Sequence, residues 1–186
     1  MRTVTVKVKG VSALGFSKHY ELAKLEKESS ADYEERTWRN RIHTDKEGQA
    51  VVSPMQWKNM LRDVGAFLSE QIPGKGKSTF KKHFLSGVLV VDPSPLGIAA
   101  KDVSCERLFV PSDGITGSGK RVWKNFPVIP VWAAEFTAFI LDETITKEVF
   151  ERHVEQAGKF IGIGFFRPAR GGVKGRFEIA SFKWSK

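Results

Sequence analysis

Cysteine is almost absent from this sequence, and long apolar runs are absent altogether. Cys105 is the only cysteine, so one chain can form neither an internal disulfide nor a thiol-based zinc site. No stretch approaches the roughly 18 apolar residues that a membrane span needs, and the opening residues alternate apolar and polar side chains. We therefore expect a cytoplasmic protein of a reducing compartment, with no signal peptide and no membrane partner.

Acidic residues are also in short supply. The 186 residues include 30 Lys and Arg against 21 Asp and Glu, a formal charge of +9, while 41% are hydrophobic. A chain this apolar is expected to fold, so the excess positive charge lies on its surface. Polyanions are the matching class of partner, because each neutralised phosphate releases condensed counterions. A basic but inert surface is the alternative that charge alone leaves open.

Residues suited to catalysis or metal binding are few. The four histidines, His19, His43, His83 and His153, form no His-x-x-x-His pair, and carboxylates do not cluster near them. His153 falls on the apolar stripe of a predicted helix, where we expect a hydrogen-bonded core residue. A metal-independent ribonuclease that uses His19 or His43 as a general base is the enzymatic alternative. The sequence indicates no cofactor, no metal site and little sign of catalysis.

Two strings imitate the phosphate-binding P-loop and fail its requirements. The first, Gly114–Lys120, has the glycine spacing and the lysine, but Arg121 replaces the required hydroxyl residue and no good helix start follows. The second, Lys75–Ser78, lacks the upstream glycine and follows a predicted helix rather than a strand. Neither string predicts nucleotide hydrolysis.

Hydrophobic periodicity predicts an alternation of strands and helices. Ser53 and Thr146 are predicted helix caps, and Gln56 is placed to complete a capping box. A change of inward-facing residues in the last strand predicts a β-bulge near Ala180 and Ser181. The predicted strands are Val4–Val8, Gly87–Val91, Glu135–Leu141 and Arg176–Trp184.

The order of these elements is βαββαβ. It predicts an α+β protein with a ferredoxin-like (RRM-like) core, in which two helices cover one face of an antiparallel sheet. A single nucleic-acid-binding domain over residues 1–186 is expected, with a polar excursion at about 18–50. A long irregular insertion is expected at about 93–130, with a mobile loop around Ser112–Lys120.

A glycine-rich segment, Gly162–Arg176, is the strongest candidate for a binding site. It contains no acidic residue. Glycines let the backbone approach a ligand and expose its N–H groups, and guanidinium groups grip phosphate. A helix-to-strand turn with solvated arginines is the simpler alternative. The candidate nucleic-acid-binding residues of this segment are Gly162, Gly164, Arg167, Arg170, Gly171, Gly172, Lys174 and Arg176.

A second basic segment follows the first predicted helix. Its candidate binding residues are Lys75, Lys77, Lys81 and Lys82, which could follow a phosphate backbone without reading sequence. A charged surface loop is an equally open interpretation.

Trp38, Trp123 and Trp132 lie in irregular basic context, where stacking is worth about 1–3 kcal/mol per base. Each is also suited to anchor a loop.

With these residues the chain resembles the repeat-associated mysterious protein (RAMP) superfamily of CRISPR systems, especially the backbone subunits that coat guide RNA. The resemblance rests on the opening strand Val4–Gly10, the helix start at Val52–Pro54 and the glycine-rich segment. It implies that Lys58 and Arg62 of the first helix, together with that segment, bind RNA. Backbone subunits are usually larger and carry a thumb-like insertion, which the region 93–130 would supply in reduced form. A stand-alone relative from a phage or mobile element also fits.

The expected function is non-catalytic binding of single-stranded nucleic acid, RNA rather than DNA, with self-association or a nucleoprotein complex as a further expectation. One alternative is a phage-type single-stranded DNA-binding or annealing protein. Another is a protein-binding inhibitor of a host nucleoprotein complex, whose basic surface recognises an acidic partner.

Overall fold

The computed structural model describes residues 1–115, 117 and 119–185. Its helices are α1 (Ser30–Thr37), α2 (Pro54–Leu68), α3 (Lys81–Ser86) and α4 (Lys147–Phe160). Its strands are β1 (Arg2–Gly10), β2 (Leu14–Gly15), β3 (Gln49–Val52), β4 (Val88–Leu89), β5 (Ser94–Ala99), β6 (Ser104–Pro111), β7 (Arg121–Ile129), β8 (Ala133–Ile140) and β9 (Phe177–Ser185). The predicted mixture of helices with antiparallel sheet is confirmed. Within the described ranges, no helix is long and apolar enough to cross a membrane.

A four-stranded antiparallel sheet of order β4-β8-β1-β9 forms the centre of the fold. The three valines of β1 are buried, as their alternation predicts. Pairing of β9 with β1 places Lys7 opposite Ser181 but Val8 opposite Ile179, so Ala180 is an extra residue. The bulge predicted at this position is confirmed, and it lets both halves of β9 face the helices.

Helix α2 begins where the sequence predicts. The backbone N–H of Ser53 donates to Oε1 of Gln56 at 2.9 Å, which is the capping-box contact, and Pro54 occupies the first turn. Trp57 of α2 is fully buried, and its ring stacks on Phe136 of β8 with the centroids 4.3 Å apart. This contact fixes the helix against the central sheet.

Helix α4 packs beside α2 and carries the buried histidine. The side chain of His153 is fully buried, and its Nδ1 lies 2.8 Å from the carbonyl oxygen of Val149. Since a carbonyl only accepts, Nδ1 carries the proton. The imidazole also stacks on Phe84 of α3, with ring centroids 4.4 Å apart. The predicted hydrogen-bonded core histidine is confirmed.

The region 93–130 is more regular than its proline and glycine content predicts. It contains β5, β6 and β7, and the last two pair as an antiparallel hairpin that joins β2 in a second sheet. Pro111 ends β6 and Pro130 follows β7, while Pro127 lies within β7 opposite Cys105. The loop predicted at 112–120 connects the two strands, and its Thr116 and Ser118 lie outside the described residues. The lysine of the P-loop-like string, Lys120, precedes a strand and not a helix.

We predict that Ser94→Ala destabilises the protein by about 1–3 kcal/mol, because Ser94 Oγ accepts the N–H of buried Trp57 at 2.9 Å. Loss of this acceptor leaves a buried indole N–H unsatisfied. Urea denaturation followed by circular dichroism measures the change. Ser104→Ala, at an exposed serine, is the control and should change stability by less than about 0.5 kcal/mol. Equal effects of the two substitutions would contradict the role of the Ser94–Trp57 bond.

We also predict that His153 makes the protein less stable in mild acid. Burial lowers the pKa of His153 from its ordinary value, and Nε2 has no hydrogen-bond partner in the described part of the chain. Below about pH 6.5 the His153 imidazole binds a proton in the unfolded chain but not in the folded chain. The free energy of unfolding therefore falls as pH falls. His153→Phe keeps an aromatic ring on Phe84 and removes this contribution.

Urea denaturation from about pH 7.5 to about pH 5.5 measures the difference in pH dependence between wild type and His153→Phe. We expect the wild type to lose about 1 kcal/mol more than the variant over this interval. Burial also lowers the pKa of His43, but that contribution is common to both proteins. His19→Gln, at an exposed histidine, controls for loss of a titrating side chain. Parallel pH profiles of wild type and His153→Phe would refute the prediction.

Candidate nucleic-acid interface

The glycine-rich segment folds back on itself, and its glycines allow this. Gly175 has a φ of 72°, and a Cβ there would lie 1.8 Å from the carbonyl oxygen of Ile163. The Ile163 N–H donates to the Gly175 carbonyl at 3.0 Å, and the Gly175 N–H donates to Ala13 at 2.8 Å. No other residue fits this crossing of two backbone segments.

Most of the glycine amides already have acceptors inside the protein. The donor and acceptor pairs are Gly162 to Ala157 (2.8 Å), Gly171 to Pro168 (2.9 Å), Gly172 to Arg167 (3.1 Å) and Gly175 to Ala13 (2.8 Å). These N–H groups are therefore not available to a phosphate in this conformation. The geometry favours a shaping role for the glycines and leaves ligand contacts to the cationic side chains.

The cations of this segment fall into two groups. Arg167 and Lys174 are internal: Arg167 Nη2 lies 2.7 Å from Asp63 Oδ2 of α2, and Lys174 pairs with Glu106 of β6. Their side chains are only 12% and 13% exposed, so they anchor the segment to its neighbours. Arg170 is exposed and its side chain has no partner among the described residues. Arg176 is partly exposed and donates to the Lys159 carbonyl at 3.2 Å.

The two candidate cations of α2 also differ. The ammonium of Lys58 donates to the carbonyls of Phe84 and Val88, and burial lowers its pKa. Lys58 therefore ties α3 and β4 to α2. The guanidinium of Arg62 is 42% exposed, and its Nε donates to Asp63 at 2.8 Å. Arg62 is thus brought next to the glycine-rich segment through the shared Asp63.

The second basic segment lies apart from the first. The side chains of Lys75, Lys77, Lys81 and Lys82 are exposed. No hydrogen bond, ion pair or ring contact within the described ranges joins this segment to the glycine-rich one. It packs through Phe80, whose ring lies 5.7 Å from that of His153. These lysines form a separate positive patch.

The outer face of the β6–β7 hairpin carries two exposed aromatic rings flanked by arginines. Phe109 and Trp123 stand directly opposite in the register, their centroids are 5.2 Å apart, and they are 46% and 53% exposed. The guanidinium carbon of Arg107 lies 5.0 Å from the Trp123 ring, and that of Arg121 lies 5.3 Å from the Phe109 ring. We call Arg107, Phe109, Arg121 and Trp123 the hairpin face. Such a face can stack bases and hold phosphates.

Only one member of the hairpin face, Trp123, is a candidate for stacking on sequence grounds. Of the three tryptophans considered, Trp38 and Trp132 are buried and Trp123 is exposed. The sequence does contain a pattern that predicts the rest of the hairpin face. In both strands an arginine stands two residues before an aromatic residue, Arg107 before Phe109 and Arg121 before Trp123. A period of two places such a pair on one face of a strand.

A cleft of about 680 Å³ separates α1 from the hairpin face. We call it the α1–hairpin cleft. The buried Arg41 holds its two sides together, because Nη1 and Nη2 each lie 2.9 Å from a Glu34 carboxylate oxygen. Nη1 also donates to the Asn125 carbonyl at 2.9 Å. The cleft is lined by Lys24, Ser30, Ala31, Asp32, Tyr33, Glu34, Glu35, Arg107, Phe109, Arg121, Val122, Trp123, Lys124 and Asn125.

The histidines considered for catalysis lie elsewhere. His19 is exposed, and its Nε2 lies 3.7 Å from Glu21, while His43 is half-buried, and burial and Lys18 lower its pKa. Neither lines the α1–hairpin cleft. The described residues contain no group of three or more histidine, cysteine or acidic side chains that could hold a metal ion.

Comparison with known proteins gives matches in structure only. No protein-family model matches the sequence. No curated protein matches it. Among solved structures, a chain of the Type III-B Cmr-beta complex bound to cognate target RNA aligns over 100% of this chain with a TM-score of 0.58 and 13% identity. The present chain spans 61% of the length of that chain.

Two further structures align less well. Cmr6 from Pyrococcus furiosus has a TM-score of 0.49 and 14% identity, over 96% of this chain and 98% of its own. A chain of a Type IV-B CRISPR complex has a TM-score of 0.49 and 11% identity, over 100% of this chain and 90% of its own. The predicted resemblance to subunits of CRISPR complexes is confirmed at the level of the fold by the Type III-B chain, at low sequence identity.

Proposed function

We propose that this chain binds single-stranded nucleic acid, RNA in preference to DNA, without catalysing a reaction on it. The hairpin face carries the proposal. Exposed aromatic rings beside guanidinium groups offer stacking surfaces for bases and positive charge for phosphates on one face. The formal charge of +9 adds a long-range attraction for a polyanion.

The glycine-rich segment packs on the opposite side of the hairpin from the hairpin face, because its contact residues Glu106 and Phe126 alternate with Arg107 and Trp123 along the strands. It packs against the hairpin through Phe165, whose ring stacks on Phe126 of β7 at 4.3 Å, and through the Lys174–Glu106 pair. On its other side it contacts α2 through Arg167. A strand that continues past the edge of the hairpin towards α2 would meet three arginines that are exposed or partly exposed, Arg62, Arg170 and Arg176.

The uncovered face of the central sheet is a weaker candidate. Its side chains largely satisfy one another: Lys7 lies 3.3 Å from Glu135, and the hydroxyls of Thr5 and Thr137 are 3.3 Å apart. A partner strand would have to break these pairs. The hairpin face instead offers rings that are already exposed.

We further propose that the central sheet with α2 and α4 is a ferredoxin-like core and that the chain works inside a larger nucleoprotein complex. The strand order β4-β8-β1-β9, with α2 after β1 and α4 after β8, supports this proposal. The Type III-B chain that aligns with this one belongs to a complex bound to cognate target RNA, which supports RNA rather than DNA as the ligand. Self-association along one strand belongs to the same proposal.

Fluorescence anisotropy with labelled single-stranded RNA, single-stranded DNA and duplex DNA, at several salt concentrations, tests the proposal. We expect both single strands to bind near physiological salt, with RNA bound more tightly. A preference for DNA would favour the annealing-protein alternative. Absence of binding to all three at moderate salt would overturn the proposal and favour a protein partner for the basic surface.

Two hairpin variants separate stacking from charge. We predict that Trp123→Ala weakens RNA binding by about 1–3 kcal/mol and leaves its salt dependence unchanged. Arg107→Ala with Arg121→Ala should weaken binding to all sequences. It should also reduce the slope of log affinity against log salt by about 0.7 for each phosphate that the variant no longer neutralises. The same anisotropy titrations measure both quantities.

Lys46→Ala with Lys101→Ala is the matched control, because it removes two exposed positive charges near the β3–β5 ribbon. We expect it to retain most of the affinity. Circular dichroism establishes that each variant is folded. Wild-type affinity in both folded hairpin variants would exclude the hairpin face as the binding site.

A further inference from the structure

We infer that the α1–hairpin cleft is a pocket for one unstacked guanine base of the bound strand. This inference rests on the proposed function and adds base specificity to it. The phosphate and stacking contacts proposed above would hold strands of any sequence. The cleft differs from them because its floor carries fixed hydrogen-bonding side chains.

We call the buried Asn125 and the exposed Glu35, which are hydrogen-bonded to each other in the lining of the cleft, its floor. Asn125 is 7% exposed, and its backbone is held at both ends: its N–H donates to Glu34 at 3.2 Å and its carbonyl accepts from Arg41. Its Nδ2 donates to Oε2 of Glu35 at 3.0 Å. This bond orients the carboxylate and leaves Glu35 Oε1 with no partner among the described residues. Asn125 Oδ1 likewise accepts no hydrogen bond within the described ranges.

The walls of the cleft are aromatic on both sides. Tyr33 of α1 lines one side and Trp123 of β7 lines the other. The Tyr33 hydroxyl is fixed by donation to the Leu22 carbonyl at 2.8 Å, so its ring is held in place. A volume of about 680 Å³ lies within the range of small-ligand pockets. A base that leaves the strand and enters the cleft would therefore contact aromatic rings, as single-stranded bases do when proteins recognise them.

The free groups of the floor are acceptors, and this selects the base. Glu35 Oε1 and Asn125 Oδ1 are acceptors without a donor among the described residues, whereas the Glu34 carboxylate is already neutralised by Arg41. Guanine presents two adjacent donors, N1–H and the N2 amino group, to a carboxylate. Adenine and cytosine present one exocyclic amino group beside a ring acceptor, and uracil presents one N–H between two carbonyl acceptors. A carboxylate repels those acceptors, so guanine is favoured over all three.

The test uses a short oligouridine RNA and versions in which one central uridine is replaced by guanosine, inosine, adenosine or cytidine. Anisotropy titrations at fixed salt give the affinity for each. We expect guanosine to raise affinity by about 5- to 150-fold, the range for one bidentate base contact. Inosine, which lacks the N2 amino group, should recover only part of this gain.

Glu35→Gln tests the carboxylate without removing the Asn125 contact, because a glutamine oxygen can still accept from Nδ2. We expect the variant to lose most of the guanosine preference, measured as the ratio of its affinities for the guanosine-substituted and the unsubstituted strand, which cancels the effect of the removed charge on general RNA affinity. Glu47→Gln, at an exposed glutamate outside the cleft, removes the same charge and should retain the preference.

The outcomes separate this inference from the proposed function. Binding to oligouridine with no gain from guanosine would overturn the pocket and leave the proposed function standing. An equal or larger gain from adenosine or cytidine would overturn the guanine assignment, as would a preference that survives Glu35→Gln. Absence of binding to every strand would instead overturn the proposed function itself.

Discussion

The buried guanidinium of Arg41 is the interaction on which the candidate interface depends. Two of its nitrogens meet the Glu34 carboxylate, and one also meets the Asn125 carbonyl, at 2.9 Å in each case. A charge with 8% of its surface exposed is tolerated only when its partners are complete. Loss of the Glu34 carboxylate would leave an uncompensated buried charge, at a cost of about 3–5 kcal/mol. The same bonds set the distance between α1 and the hairpin, and hence the α1–hairpin cleft.

Two further ion pairs determine what the glycine-rich segment can do. Arg167 forms an ion pair with Asp63, and Lys174 forms one with Glu106. These two side chains therefore position the segment and are not free to bind a ligand. Salt has less effect on such shielded pairs than on exposed ones. The side chains left at the surface are fewer than the sequence suggests, and the aromatic hairpin face becomes the larger part of the proposed interface.

Local sequence signals predicted most of the central sheet and its helices. The alternating valines of β1, the Ser53–Gln56 capping box and the position of His153 each depend on residues close together in the chain, and all are confirmed. The bulge in β9 was predictable for the same reason, since the inward-facing set changes within one strand.

The candidate site was less predictable, because its contacts join residues far apart in sequence. Arg167 and Asp63 are separated by 104 residues, and no local pattern distinguishes a paired arginine from a free one. The hairpin was missed because Pro127 within β7, Pro111 at the end of β6 and the glycines of the turn resemble an irregular insertion. Its aromatic side chains also lack the buried alternation that marks a strand with one face in the core.

The central claim is that a nucleic-acid strand lies on the hairpin face. Photo-cross-linking of the protein to RNA that contains 4-thiouridine, followed by mass spectrometry of the peptides, tests it most directly. We expect cross-links concentrated at Phe109 and Trp123, with weaker ones near Arg170. Cross-links confined to the lysines of residues 75–82 or to the uncovered face of the central sheet would contradict the claim.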